Sequence, residues 1–389
     1  MISINEPRKS PAFAMFNLGF RPFFLLGAIA AVVLLGIWLV LYSSGMGVQY
    51  YSNTMYWHAH EMIFGFTLAI IGGFLLTAVR NWTNVQTPYG KPLMLITAVW
   101  FIARFMPFIP GLPEWLIAAV DLAFAPAVAV GIAIPILRSA NYRNLLFIPI
   151  LLLMTVANAA MHYGVLFNQP ALIPQASTSM VLLVTLVMCI MGGRVFPMFT
   201  ANGTQTPRTP SLPWLEKLSI VSTVFTVVLS FQILPVAQGI VATVFIVSGV
   251  ANALRAVRWK IWVAFKTPLV WSLHLSYWAI SLGLILFGIS IISPLVTQSQ
   301  AIHALTVGGM GVMILSMISR VSLGHTGRTI AIGKIMTAAL IAIVFAFFVR
   351  VFGGYFTHNI VYIITLSSAL WVVAYSCFVV LYLPILIKP

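Results

Sequence analysis

The sequence places histidines and charged side chains inside long apolar segments, where such residues are costly and therefore informative. A histidine-rich stretch, WHAHE, occupies residues 57–61 at the start of the second apolar segment. Imidazole is the commonest protein ligand for haem iron, and it also binds copper. On a helix, His58 and His60 lie about 200° apart and cannot both face one haem. In an extended segment they would point to one side and could chelate copper instead.

The residues that share a helical face with each histidine favour different roles. At helical spacing, His58 lies on one face with Glu61, Gly65 and Gly72, and these glycines leave room for a flat macrocycle. We therefore expect His58 to be the better haem ligand, because His60 faces bulkier neighbours. The same glycines would equally permit close packing of a second helix. Glu61 is expected to orient a ligand imidazole or to move protons.

Other polar residues fall at the same predicted depth, near the outer ends of their segments. His162 lies close to the end of the fifth segment, and His303 lies at the start of the tenth. Arg104 and Asp121, in the third and fourth segments, would form a buried ion pair or also bind haem propionates. Histidines that only pack helices together would not be expected to share one level. The predicted haem or metal site therefore consists of His58, His60, His162 and His303, with Glu61, Arg104 and Asp121 around them.

A second polar set is expected near the opposite, cytoplasmic face. Arg194 lies in the sequence GGRVFP, and Arg320, His325 and Arg328 lie in SRVSLGHTGR. Arginines at these helix ends would anchor the chain to the cytoplasmic interface, and for Arg328 we expect nothing more. The glycines on either side of His325 predict a shaped loop that could hold an anion or a partner.

The composition decides what kind of element must position these residues. Of 389 residues, 61% are hydrophobic and only 6% are charged, whereas soluble domains carry roughly a quarter charged residues. Such a chain has the lipid bilayer as its main solvent. The net charge of +15 does not indicate nucleic-acid binding, because the basic residues are scattered between apolar segments. No phosphate-binding loop, HExxH sequence or serine nucleophile elbow is present, which argues against soluble-type hydrolysis.

Apolar segments of about 20 residues can each cross the hydrocarbon core as a helix. We predict an all-α, polytopic bundle of about twelve such helices, forming a single integral membrane domain over residues 1–389. Residues 1–22 would be a cytoplasmic N-terminal segment, whose charges are not those of a cleavable signal. The predicted helices lie near residues 23–43, 58–79, 92–109, 115–137, 144–167, 176–199, 217–235, 238–257, 268–292, 300–319, 331–353 and 359–385.

The basic residues of the loops test this helix count. The loops after the first, third, fifth, seventh and ninth segments contain no lysine or arginine. The connections after the second, fourth, sixth, eighth and tenth segments do contain them. This alternation follows the positive-inside rule for a bacterial inner-membrane protein with both termini in the cytoplasm.

Five motifs run through most of the chain. They are FRPFFLLGA at residues 20–28, WHAHEMIFGF at 57–66, GFLLTAVRNWT at 73–83, GGRVFPMFT at 192–200 and HALTVGGMGVMILSMISRVSLGHTGR at 303–328. In combination they resemble the NnrS family of bacterial membrane proteins. The resemblance implies a haem- and copper-containing protein of denitrification and the nitric oxide response, associated with protection against nitrosative stress.

The resemblance also implies which residues carry the family's motif positions. They are the histidines His58, His60, His303 and His325 and the arginines Arg21, Arg194, Arg320 and Arg328. One departure is Arg80, where the family motif would have proline, and it bears on loop geometry rather than on the haem site. The layout is also similar to the catalytic subunit of haem-copper oxidases, which carries haem ligands on its second and tenth helices. The copper ligands of that subunit come from the sixth and seventh helices, which contain no histidine here, so proton-pumping oxygen reduction is not expected.

These inferences lead to two functional hypotheses. The first is a membrane protein that holds haem b, with or without copper, and binds, senses or turns over nitric oxide or a related small ligand. Turnover would make it an oxidoreductase, and its electron donor is unknown from the sequence. One axial histidine would leave the iron open to nitric oxide, whereas two would favour electron transfer. The second hypothesis is a cofactor-free transporter of a small anion or a proton-coupled solute.

Overall fold

The computed structural model describes residues 13–45 and 51–389 of the chain. In this part of the chain, twelve helices are long and apolar enough to cross a membrane, and no β-strand is present. The predicted all-α, polytopic membrane fold is therefore confirmed. Residues 1–12 of the predicted cytoplasmic segment lie outside the described residues. The cytoplasmic location of the termini and the bacterial inner membrane remain predictions.

The helices are numbered here in chain order, and most begin and end within a few residues of their predicted bounds. They are α1 Phe20–Ser44, α2 Thr54–Thr83, α3 Lys91–Phe108, α4 Glu114–Arg138, α5 Tyr142–Leu166, α6 Leu172–Thr204, α7 Pro213–Ser230, α8 Gln238–Arg258, α9 Pro268–Ile292, α10 Gln298–His325, α11 Lys334–Tyr355 and α12 Ile360–Ile387.

Two helices continue further than the hydropathy predicts. α6 ends at Thr204 and α10 at His325, each several residues past the predicted end. A fall in hydropathy marks where a helix leaves the hydrocarbon core, and the backbone stays helical beyond that point because its hydrogen bonds are internal. The predicted loop around His325 is therefore wrong. His325 is the last residue of α10, and the chain turns only at Gly327, whose φ is +70°.

Two helices contain a π-helical segment directly after a motif histidine. In α2 the segment Glu61–Thr67 follows His60, and in α10 the segment Ala304–Gly311 follows His303. π-helical turns are rare in proteins overall, and those that do occur are often found at functional sites. The sequence pattern gives no sign of them, because helical periodicity assumes a uniform α-helix.

The chain divides into two compact units. The first comprises residues 1–180, 321–330 and 375–389, and so contains α1–α5 with end portions of α6, α10 and α12. Glycines let α1 and α2 approach closely, since a Cβ atom at Gly73 would lie 2.6 Å from the Cβ atom of Phe23. Small residues at such contacts are how membrane helices pack without a hydrophobic driving force.

Arg21, a motif arginine in α1, has a structural role in this unit. Its Nη1 donates to the carbonyl oxygens of Ile385, Leu386 and Lys388 at 3.3, 3.1 and 2.7 Å. The last carbonyls of a helix have no partner within it, and a basic side chain is a common way to satisfy them. Arg21 therefore caps the C-terminal end of α12.

The second unit comprises residues 181–320 and 331–374. In it, glycines bring α8 and α9 together from both sides. A Cβ atom at Gly249 would lie 2.6 Å from the side chain of Ile285, and one at Gly288 would lie 2.6 Å from the backbone oxygen of Ala242. Neither position has space for a side chain, so these glycines are required by the packing.

Candidate functional site

A cluster of polar side chains is buried in the first unit, among apolar helices. The side chains come from α2, α3, α4 and α5, and none of these residues is more than 6% exposed. The sequence predicted all of them as site residues except Asn158. The cluster consists of His60, Glu61, Arg104, Asp121, Asn158 and His162.

Arg104 joins the two carboxylates of the cluster. Its Nη1 donates to both carboxylate oxygens of Glu61, at 2.9 and 2.8 Å, and its Nη2 pairs with Oδ1 of Asp121. The predicted pairing of Arg104 with Asp121 is thus present, and Glu61 is added to it. Gly65 makes room for the pair, because a Cβ atom there would lie 2.6 Å from Oε2 of Glu61.

The two histidines meet at the other oxygen of Asp121. Nε2 of His60 lies 3.2 Å from Oδ2 of Asp121, and Nε2 of His162 lies 3.1 Å from the same oxygen. The second ring nitrogens are also held. Nδ1 of His60 lies 3.1 Å from Oε1 of Glu61, and Nδ1 of His162 lies 2.6 Å from the hydroxyl of Tyr51. The geometry thus fixes the orientation of both imidazole rings.

Asn158 and Tyr51 are members of the site that sequence reasoning missed. Nδ2 of Asn158 donates to Oδ2 of Asp121 at 2.6 Å, and its Oδ1 lies 3.0 Å from Nε2 of His60. Asn158 precedes His162 by four residues, so helical spacing places both on one face of α5, and this signal could have found it. Tyr51 lies outside the helices. Burial, and then the negative charge of Glu114, raise the pKa of Tyr51, so the phenol stays protonated.

The charges of the cluster do not balance. With neutral imidazoles, two carboxylates and one guanidinium leave a formal charge of −1 in a buried region. An uncompensated charge in such surroundings is strongly unfavourable. A proton on an imidazole or a monovalent metal ion would make the cluster neutral, and a divalent metal ion would bring its formal charge to +1.

The donor atoms fit a metal ion. His60, Asp121 and His162 each offer a ligand atom within 4.8 Å of the other two, and all three residues are buried. Imidazole and carboxylate suit copper and iron, and ligand imidazoles normally bond to an oxygen through their other nitrogen. Glu61 and Tyr51 supply those oxygens here.

The space beside the cluster fits an ion or a water molecule but not a haem. The cavity measures about 10 Å³, which holds about one water molecule, whereas cofactor pockets have several hundred Å³. Trp57 lines this cavity, and its Nε1–H is buried without an acceptor among the described residues.

The other predicted site residues lie elsewhere. The His58 ring stacks on Trp38, with ring centroids 4.0 Å apart. In the second unit, Nδ1 of His303 donates to the carbonyl oxygen of Ser299 at 2.7 Å. Neither residue belongs to the buried cluster defined above.

The motif residues predicted for the cytoplasmic side have various surroundings. The His325 ring lies 5.6 Å from that of Phe20 in the first unit. In the second unit, the guanidinium of Arg320 lies 4.1 Å from the ring centroid of Phe199, in a cation–π contact. Arg194 is partly buried and Arg328 is exposed.

The fold and the cluster together define a multi-pass membrane protein with an intramembrane site of ionisable residues. Such residues are retained at membrane depth mainly for function. The model of the NnrS protein family matches residues 14–389, nearly the whole chain. The chain belongs to the NnrS family, as its motifs predicted. No curated protein matches the chain.

Proposed function

We propose that the protein acts in the nitric oxide response as a membrane metalloprotein, in which His60, Asp121 and His162 hold one copper ion. One observation carries the proposal: three buried ligand atoms converge in a cluster that lacks one positive charge. Membership of the NnrS family supports the nitric oxide context. The small ligand would be nitric oxide or a related molecule.

The residues around the ligands have distinct roles in this proposal. Bound copper would supply one-electron chemistry and a coordination position for the small ligand. Glu61 and Tyr51 orient the two imidazoles by accepting hydrogen bonds from their Nδ1 atoms. Arg104 offsets the carboxylate charge. Trp57 is one of the side chains that line the cavity where the small ligand would bind.

Haem b remains a proposal based on the family resemblance, with one of His58 and His60 as a ligand. The ring nitrogens of His60 already have oxygen partners in the cluster, at 3.1 Å to Glu61 and 3.0 Å to Asn158. We therefore favour His58 over His60 as the haem ligand. The copper proposal does not depend on the haem.

The metal proposal is tested by elemental analysis of the purified full-length protein after copper loading. We expect close to one copper per chain in the wild type. Asp121→Asn and His162→Gln should each weaken copper affinity by at least about tenfold. His358→Gln, which changes an exposed histidine between α11 and α12, is the matched control and should keep the copper. Paramagnetic resonance of the loaded proteins should respond to nitric oxide only where copper is retained.

Equal copper content in wild type and both cluster variants would refute the ligand assignment. A wild-type protein that takes up no copper would favour the second candidate, a proton-coupled transporter. The observation behind that alternative is the same missing positive charge, because one proton on His60 or His162 would also neutralise the cluster. In that case, uptake of a small anion into proteoliposomes with an imposed pH gradient should be measurable for the wild type and abolished in Asp121→Asn.

A further inference from the structure

The second unit contains a basic cavity that is separate from the cluster described above. The cavity has a volume of about 360 Å³ and lies where α6 and α8 end and α7 begins. Three arginines and one glutamate line it, which gives the cavity a formal charge of +2. Its residues include Gly193, Arg208, Ser211, Glu216, Arg255 and Arg258.

Arg255 is built into the inner wall of this cavity and is only 3% exposed. Its Nη1 donates to the hydroxyl of Tyr277 and to the carbonyl oxygen of Cys189, both at 2.8 Å, and its Nη2 pairs with Glu216. Its Nε has no acceptor among the described residues. These contacts hold the positively charged guanidinium at the wall of the cavity.

The glycines of the GGRVFP motif explain how Arg255 reaches this position. Any side chain at Gly193 would overlap the guanidinium of Arg255, and a Cβ atom at Gly192 would lie 2.8 Å from the ring of Tyr277. Because these two positions lack side chains, Arg255 and its partner Tyr277 pack directly against the backbone of α6.

The remaining charge of the cavity cannot be compensated by this unit itself. The chain has only five acidic residues, and Glu216 is the only one within residues 181–320 and 331–374. Glu216 is paired with Arg255. Arg208 and Arg258 therefore have no acidic partner in the unit, although Nη2 of Arg258 donates to the carbonyl oxygen of Pro210 at 3.1 Å.

We propose that this cavity binds the phosphate group of an anionic ligand, through Arg208, Arg258 and the buried Arg255. The planar guanidinium matches phosphate oxygens in pairs, and the volume is within the range of small-molecule pockets. Two sources share this chemistry, a soluble phosphate compound and the headgroup of an anionic lipid. The basic loops predict that this end of the helices faces the cytoplasm, where both are present.

The experiment uses the full-length protein and two probes. In nanodiscs of neutral phosphatidylcholine, binding of inorganic phosphate is measured by calorimetry. In detergent, native mass spectrometry measures retention of phosphatidylglycerol against phosphatidylcholine. Arg208→Gln and Arg258→Gln change exposed or half-exposed side chains and should each weaken binding by about tenfold. Lys266→Gln, at an exposed position outside the cavity in the same unit, is the matched control.

Phosphate binding that both arginine variants weaken would support a soluble ligand, and selective retention of phosphatidylglycerol that they weaken would support a lipid. Equal binding in the wild type and both arginine variants would overturn the proposal, as would a wild type that binds neither probe. Copper loading of the His60 cluster should be unchanged in all these variants, so the two proposals fail or stand separately.

Discussion

Replacement of Arg104 is the most direct test of how the buried cluster is held together. Its guanidinium contacts both oxygens of Glu61 and one oxygen of Asp121. In Arg104→Gln, the formal charge of the cluster would change from −1 to −2 with neutral imidazoles. Removal of one partner from a buried ion pair costs about 3–5 kcal/mol, because the other partner stays buried and uncompensated. Since Arg104 serves two carboxylates, we expect a loss of about 5 kcal/mol.

Thermal unfolding of the full-length protein in detergent, followed by tryptophan fluorescence, measures this loss. An apparent Tm lower by on the order of 10 °C is expected for Arg104→Gln. Arg138→Gln changes an exposed arginine at the end of α4 and should stay within about 0.5 kcal/mol of the wild type. Adding Glu61→Gln to Arg104→Gln removes one of the two stranded carboxylates, so roughly half of the loss should be recovered.

Two results would refute this reasoning. One is a loss below about 1 kcal/mol for Arg104→Gln, which is the level of an exposed ion pair. The other is a double variant that is less stable than Arg104→Gln alone, because Glu61 would then be stabilised by something other than Arg104.

Four further predictions follow from the first unit. Gly65→Ala should lower the free energy of unfolding by about 1–3 kcal/mol, since its Cβ atom would lie 2.6 Å from a carboxylate oxygen of Glu61. Gly36→Ala is the control, because a Cβ atom there has open space around it and should leave the free energy of unfolding unchanged. Thermal unfolding compares the two variants. Tyr51→Phe removes the nearer of two hydroxyl oxygens at Nδ1 of His162, at 2.6 Å against 3.4 Å for Tyr56, and should weaken copper binding by about 10–100-fold. Because burial raises the pKa of Tyr51, that loss should be the same in copper titrations at pH 7 and pH 9. A larger loss at pH 9, where a phenolate would accept the imidazole N–H more strongly, would contradict the raised pKa. Arg21→Gln uncaps α12 and should make the C-terminus more sensitive to limited proteolysis, with unchanged cleavage arguing against the cap. A green fluorescent protein fused to the C-terminus should be fluorescent if that end is cytoplasmic, and alkaline phosphatase activity in the same fusion position would reverse the topology.

The residues at the predicted cytoplasmic side show where sequence patterns mislead. In the sequence, Arg255 is one of several basic residues next to a loop. In the structure it is buried, and it donates hydrogen bonds to the hydroxyl of Tyr277 and the carbonyl oxygen of Cys189. The adjacent glycines of GGRVFP were the available signal, because paired glycines in a membrane helix indicate a close neighbour. His325 shows the opposite error. Its flanking glycines predicted a loop, but it ends a helix.

The sequence by itself determined the helices and the membrane class, because hydropathy and length act locally along the chain. It also predicted one depth for five residues of the cluster, together with His58 and His303, since helical rise converts position into depth. Those five residues are His60, Glu61, Arg104, Asp121 and His162.

Only the tertiary structure decided which of these residues meet. The rotation of each helix about its axis, and the choice of neighbouring helix, are set by packing between residues far apart in the sequence. That packing orients α2 so that His60 lies in the cluster, while His58 stacks on Trp38. It also brought Asn158 and Tyr51 to the site. The surplus negative charge, which motivates the metal proposal, became visible only when two carboxylates and a single guanidinium were seen to share one buried space.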